Sequence, residues 1–240
     1  MPKVTAVYPL PKNTKMSVIV PALNEEKFID QTLRNVQTVV PNAELLVVDG
    51  GSEDKTVDIA RKYARVYLVN GTISAARNTG AKASEGDIIV FLDADTSINR
   101  YFIEEAMIAF RDPKVVGIGG LIMPHRKRSL VEILFYFLNF LIMVSFALTR
   151  PILAGTCVVY KKKPFLEVGG FDANMAASED FDLCKRISRK GKVKFLRHAI
   201  VRTSRRRLEK LGLGGLLSDW LLVTFEYFTG KKSKNYRTFR

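Results

Sequence analysis

Apolar residues fall along the first half of the chain in two alternating rhythms. Short runs at Met16–Val20, Glu44–Val48, Val66–Val69 and Asp87–Leu92 predict buried strands. Between them, Glu25–Val39 carries Phe28, Ile29, Leu33 and Val36 at helical spacing. Asp54–Tyr63, Ser74–Ala83 and Asn99–Phe110 complete the helices expected there. Strands alternating with helices of this length predict an α/β fold, with a Rossmann-like, mostly parallel sheet and helices on both faces. The second half is less regular. Val115–Gly120 and Leu153–Tyr160 read as strands, Leu130–Leu148 as a long apolar segment, and Glu179–Lys190 as a helix. Leu208–Phe228 reads as a helix ahead of a basic tail, Lys231–Arg240.

Polar and glycine-rich sequence recurs at the carboxyl ends of the predicted strands: Asn24, then Asp49-Gly50-Gly51-Ser52, then Asp93-Ala94-Asp95. In open α/β sheets ligands bind at those ends, so the pattern forecasts a cleft there. Asp93 and Asp95 flank one residue after a buried strand, a spacing that aims both carboxylates the same way. Two hard oxygen ligands suit Mn²⁺ or Mg²⁺, completed by phosphate oxygens and water. The competing reading is a cap for the helix near Asn99. Glu179-Asp180 can supply a general base, or simply favour a helix N-terminus. Asp49 can accept hydrogen bonds from a nucleobase, or close an ordinary tight turn.

Composition narrows the partners. Lys and Arg number 38 against 24 Asp and Glu, a net charge of +14, which attracts nucleic acid, an anionic membrane or a phosphorylated substrate. Nucleic acid is the weakest of these, because most aromatics lie in the two long apolar segments rather than among the bases. Cys157 and Cys184 lack metal-type spacing, and two cysteines make no disulfide framework, so a reducing cytoplasm is expected. The first sixteen residues hold no apolar core of signal-peptide length.

Taken in order, four segments resemble glycosyltransferase family 2, whose members share the GT-A fold. They are Pro21-Ala22-Leu23-Asn24-Glu25-Glu26; Val47–Thr56; Ala76-Arg77-Asn78-Thr79-Gly80 running into Phe91–Asp95; and Gly169-Gly170-Phe171-Asp172 followed by Glu179–Leu183. The resemblance implies that Pro21, Leu23 and Glu25 contact the nucleoside, that Asp49 contacts the base, and that Arg77 sits near the nucleotide. It gives Asp93 and Asp95 to the metal and diphosphate, with Asp95 the more direct ligand. Asp180 becomes the general base, with Glu179 beside the acceptor, and the reaction an inverting one. Arg205, Arg206 and Arg207 follow the core where relatives close over the donor, and can clamp phosphate. The family's frequent metal-binding His falls near Thr203 or Ser204; His198 is slightly out of register, and His125 reads as a loop residue. The Gln-x-x-Arg-Trp signature of processive synthases is absent.

The implied activity is transfer of a hexose from a nucleotide sugar (GDP-mannose first, UDP-glucose second) to polyprenyl phosphate or a lipid-linked glycan, as in dolichyl-phosphate sugar transferases. The alternatives are a non-lipid acceptor and nucleotidyl transfer. A GT-A domain is expected over 1–207, its nucleotide-binding half 1–110 and acceptor half 111–207, with 208–240 an amphipathic helix and tail. Leu130–Leu148 is long enough to span a bilayer, but a single crossing would separate Asp93–Asp95 from Glu179-Asp180. Glu132, Tyr136 and Asn139 share one stripe, with Arg126-Lys127-Arg128 before and Arg150 after. An interfacial helix on the inner face of the cell membrane is therefore expected, and Leu216–Phe228 repeats the pattern.

Overall fold

The computed structural model describes residues 14–125, 129–175, 177–206 and 208–212, together with 214–216, 218 and 222. Eight strands form one sheet: β1 (Met16–Ala22), β2 (Glu44–Asp49), β3 (Arg65–Leu68), β4 (Ile88–Leu92), β5 (Thr96–Ser97), β6 (Val115–Pro124), β7 (Cys157–Lys161) and β8 (Lys192–Thr203). Their spatial order is β3-β2-β1-β4-β7-β6-β8-β5. The helices are α1 (Ile29–Val39), α2 (Thr56–Ala60), α3 (Ile73–Ala83), α4 (Arg100–Phe110), α5 (Ser129–Ala147), α6 (Lys162–Glu167) and α7 (Glu179–Ile187).

The central strands read as continuous apolar runs because both their faces are covered. Val18, Val20, Val47, Val90 and Leu92 point to one side, where Leu33 and Val36 of α1 and Phe102, Ala106 and Phe110 of α4 meet them. Ile19, Leu46, Val48, Ile89 and Phe91 point to the other, against Ala76 and Ala81 of α3, Phe165 of α6 and Leu183, Cys184 and Ile187 of α7. Each fully buried side chain of this kind contributes roughly 1.5–3 kcal/mol. Helix α3 lies so close to β1 that a Cβ on Gly80 would come within 2.4 Å of Ile19.

The first half is parallel as expected, β3-β2-β1-β4. Beyond β4 the sheet becomes mixed. Strand β7 runs antiparallel to both β4 and β6, while β8 is parallel to β6. A buried apolar run carries no sign of its direction, so Leu153–Tyr160 could not disclose this reversal. The long β8 was not anticipated at all. Its pairing with β6 slips after Gly120–Leu196, where the next pair is Leu121–Ile200, and this offset breaks the alternation of faces.

Helix α5 packs along β6, its Val131, Phe135 and Ile142 joining Ile122 and Met123 in a third apolar cluster. The expected polar stripe divides here. Asn139 is fully buried; its amide accepts from the Ile122 backbone N–H at 3.0 Å and donates to the Ile122 carbonyl at 2.7 Å. Tyr136, by contrast, is exposed. Asn139 thus serves as a peg into β6, not as part of a solvated face. No helix among the described residues is long and apolar enough to cross a membrane. Past β8, Leu208 packs on the third cluster and Leu216 is buried. Most of the expected helix at 216–228, Arg126–Arg128 and the basic tail lie outside the described residues.

Candidate active site

The loops after β1 and β2 are laced together by their own polar groups. Gly50 N–H donates to the Ala22 carbonyl at 2.8 Å and Asn24 N–H to Ser52 Oγ at 2.8 Å. Glu53 N–H donates to Asn24 Oδ1 at 2.9 Å. Asn24 adopts φ 55°, a left-handed conformation that Asn tolerates. Asp49 is fully buried, its Oδ1 accepting from the N–H groups of Gly51 (2.9 Å) and Ser52 (2.8 Å) and its Oδ2 from Ser52 Oγ. A carboxylate offers about four acceptor positions, so Asp49 shapes this turn and retains capacity for one further donor. Pro21 is buried in β1 opposite Val48, and Leu23 is partly exposed at the strand's end.

Arg77, on the inner face of α3, is 2% exposed and lies at the centre of the site. It donates to Asp93 Oδ1 at 2.9 Å, to Glu179 Oε1 at 3.0 Å and to the Gly155 carbonyl at 3.0 Å. The Phe171 ring covers its guanidinium at 5.1 Å. Residue 78, next in sequence, fixes that ring: Asn78 Nδ2 donates to the Phe171 carbonyl at 2.7 Å and Asn78 Oδ1 accepts from Phe171 N–H at 2.9 Å. The adjoining Gly170 has φ +69° and would set a Cβ 2.4 Å from Asn78 Oδ1, so glycine is required. The Ala76–Gly80 and Gly169–Asp172 segments are therefore locked face to face. Arg77 braces the strand-end acid Asp93 against the α7 acid Glu179.

Asp180 borders the same point. Its Oδ2 accepts from Gly155 N–H at 2.7 Å and its Oδ1 from Phe181 N–H at 2.9 Å. Burial, and then the adjacent Glu179 charge, push its carboxyl up to about 7, against the pull of Gly155 N–H and Arg77. A carboxylate near 7 is matched to proton abstraction at neutral pH. Helix α7 begins here after Ser178 at φ 61°, a strained conformation for a residue with a side chain. Cys157 and Cys184 are buried, which raises both thiols, Cys184 to about 12; they fill space as neutral groups.

Asp95 is positioned by three strand ends. Thr96 of β5 pairs with Thr203 of β8, and Thr203 with Pro124 of β6. This register brings Ser204 Oγ onto Asp95 Oδ2 and His125 Nε2 to 3.3 Å from the Asp95 carbonyl. Thr203 and Ser204, near which the resemblance puts a metal-binding His, thus lie at Asp95. His198 is exposed within the β8 offset. Asn99, and neither Asp93 nor Asp95, caps α4 by accepting from Phe102 N–H at 2.8 Å. Arg206 donates to both oxygens of the buried Glu25, at 2.6 and 2.8 Å, reaches Asp95 Oδ2 at 3.5 Å, and lies over Phe28 at 5.3 Å. Arg205 pairs outward with Glu209 at 3.2 Å, and Arg207 lies outside the described residues.

A chain of opposite charges therefore runs from Glu25 through Arg206 to Asp95, and from Asp93 through Arg77 to Glu179, with Asp180 alongside. No cluster of three or more His, Cys, Asp or Glu forms a closed metal site among the described residues. Mg²⁺ and Mn²⁺ take one or two protein carboxylates and draw the remainder from phosphate and water. Asp93 and Asp95 are two carboxylates that could hold such an ion, and each faces a guanidinium, Arg77 at 2.9 Å and Arg206 at 3.5 Å.

Together, the sheet and the acids at the carboxyl ends of its strands define an α/β domain of GT-A type, in which ligands bind at those ends. Residues 17–169 match the model of glycosyl transferase family 2, and the chain belongs to that family. The glycosyltransferase AglE of Haloferax volcanii is 36% identical over 116 residues, which are 44% of this chain and 38% of AglE. Mannosyltransferase PcManGT from Pyrobaculum calidifontis, solved with GDP-Man and Mn²⁺, superposes with a TM-score of 0.69 at 22% identity, over 92% of this chain and 65% of that one. Glucosyl-3-phosphoglycerate synthase from Mycobacterium tuberculosis, solved with Mn²⁺ and UDP-glucose, gives 0.63 at 20% identity, over 93% and 82%. These likenesses carry the fold. The matched family segment ends before Glu179, Asp180, Ser204 and Arg206, whose placement comes from the structure alone.

Proposed function

We propose that the protein is an inverting hexosyltransferase. It takes a nucleotide sugar (GDP-mannose first, UDP-glucose second) and delivers the sugar to a lipid-linked acceptor at the inner face of the cell membrane, within cell-envelope glycan synthesis. The nucleoside lies against Pro21, Leu23, Glu25 and Asp49, and Asp93 faces the sugar diphosphate. Asp93 and Asp95 would hold a Mn²⁺ or Mg²⁺ ion, which would supply Lewis-acid neutralisation of that diphosphate. Of the two described arginines of the Arg205–Arg207 run, Arg206 reaches the site, where it can exchange Glu25 for phosphate oxygens. Asp180 takes the proton from an acceptor hydroxyl as its oxygen bonds to the anomeric carbon. The bond from that carbon to the diphosphate breaks on the opposite face, so configuration inverts and nucleoside diphosphate leaves. Glu179 supports the acceptor side, anchored by Arg77.

The observation that carries this reading is the Arg77 brace. One buried cation holds the strand-end acid Asp93 and the α7 acid Glu179, and beside them is a carboxyl raised to about 7. Nucleotidyl transfer would use Asp93 and Asp95 but gives Asp180 no work. A screen of nucleotide sugars with Mn²⁺ tests the proposal. Release of nucleoside diphosphate that is lost in Asp95→Ala and Asp180→Asn supports it; release of pyrophosphate contradicts it. Base demand also sorts acceptors. A phosphate monoester loses its second proton near ~6 and needs no base at pH 8, so insensitivity to Asp180→Asn would mark a lipid phosphate rather than a hydroxyl.

A further inference from the structure

The outward side of α5 is not accounted for by packing. Ile133, Tyr136, Phe137, Phe140, Leu141 and Leu148, at the helix and just past its end, are all strongly exposed, Ile133 at 63% and Phe140 at 54%. On a helix of 3.6 residues per turn, those from 133 to 148 occupy an arc of roughly 140°. That arc contains no charged residue, and Glu132 is the one acid in the helix. Bases stand at both ends: Arg126, Lys127 and Arg128 directly before it in sequence, and exposed Arg150 after it. We infer that this face is a membrane-docking surface, which lies in the headgroup region of an anionic bilayer.

Charge decides between the two obvious occupants. If two copies of α5 paired about a two-fold axis, bases that flank the helix in sequence on both sides would be brought together. No acid lies along the arc to offset them. Against anionic lipid the same bases strengthen binding by about fivefold each, while the aromatic and aliphatic side chains enter the boundary layer. Asn139 ties the helix to β6, which leaves the exposed arc on the outward side. The helix also joins two parts of the site: it starts after His125, which touches Asp95, and is followed by the loop carrying Gly155, which holds Arg77 and Asp180. Docking along α5 therefore sets the acidic centre beside the lipid surface. The inference deepens the membrane part of the proposed function and rests on it for the acceptor's location, but the binding itself requires no catalysis.

The test is flotation of the full chain with vesicles of phosphatidylcholine alone and of phosphatidylcholine with phosphatidylglycerol. The wild type should float with the anionic vesicles, and weakly or not at all with the neutral ones. Phe137→Asp/Phe140→Asp should lose at least tenfold in affinity, and Arg150→Gln about fivefold. Circular dichroism and nucleotide-sugar hydrolysis in solution should be unchanged, since both phenylalanines are about half exposed and neither belongs to an apolar core cluster. Equal flotation of the double variant would assign binding to diffuse positive charge and overturn the inference. So would a wild-type dimer that the double variant dissociates, without vesicle binding. Loss of hydrolysis across the wild type, with flotation intact, would count against the proposed function and leave the docking surface standing.

Discussion

Replacing Arg77 by Met removes a buried cation from among three carboxylates. Asp93, Glu179 and Asp180 all contribute to holding Arg77 in its charged form, and Asp93 and Glu179 are bonded to it directly. Deleting one partner of a buried ion network typically costs about 3–5 kcal/mol, because the remaining charges stay desolvated. For a domain of this size, that corresponds to a fall in Tm of roughly 6–20 °C. A second effect follows on Asp180, whose carboxyl Arg77 pulls down from a still higher value. Without Arg77 it rises above about 7, so the basic form appears only at higher pH. The acidic limb of kcat/KM, measured as nucleoside diphosphate release, should shift to higher pH in Arg77→Met. Arg77→Lys keeps the charge but lacks the rigid fork that reaches Asp93, Glu179 and Gly155 together. It should restore the limb's position while recovering only part of the stability. If Arg77→Met left the pH limb unmoved, the reasoning linking brace to base would be refuted, whatever happened to Tm.

Asp180→Asn should cut turnover of a hydroxyl acceptor by roughly 10²–10⁴-fold, the usual worth of a general base. It should also alter stability with a definite sign. The folded carboxyl is raised to about 7 from an unfolded value near ~4. The favourable contribution of its neutral form is complete below about 4 and lost as pH rises through about 7. Chemical denaturation should therefore find Asp180→Asn more stable than wild type at pH 8 and little different at pH 4. Gly80→Ala should destabilise the fold by about 1–3 kcal/mol in urea titration, because its Cβ would meet Ile19 at 2.4 Å. Arg206→Ala leaves buried Glu25 without its bidentate partner; raised KM for the donor is expected, with a smaller change in kcat. Chelation by EDTA should abolish nucleoside diphosphate release, and Mn²⁺ should restore it.

The first half of the fold, β1 to α4, was legible in the sequence because its central strands are buried on both faces and its helices carry 3.6-residue spacing. The acids at the strand ends were legible because polar residues there interrupt strongly apolar runs. The reversal of β7 was hidden, since Cys157–Lys161 reads as the same buried run in either direction. β8 was hidden by the offset near Arg197 and His198 and by its half-exposed faces. With it went the placement of Ser204 and Arg206, which depends on pairing across more than a hundred residues. Gly155 carried no chemical signal at all, for it acts through its backbone. Arg77 stands out in the sequence as a charged residue inside a family-like segment, but only its burial discloses that it braces acids.

The sharpest test of the account separates metal from base. Mn²⁺ binding in the presence of GDP or UDP, followed by electron paramagnetic resonance, is measured for wild type, Asp95→Ala and Asp180→Asn, alongside single-turnover release of nucleoside diphosphate. The account predicts that Asp95→Ala loses Mn²⁺ and turnover together, while Asp180→Asn binds Mn²⁺ as the wild type does and fails only in transfer to a hydroxyl acceptor. Normal Mn²⁺ binding by Asp95→Ala would contradict it.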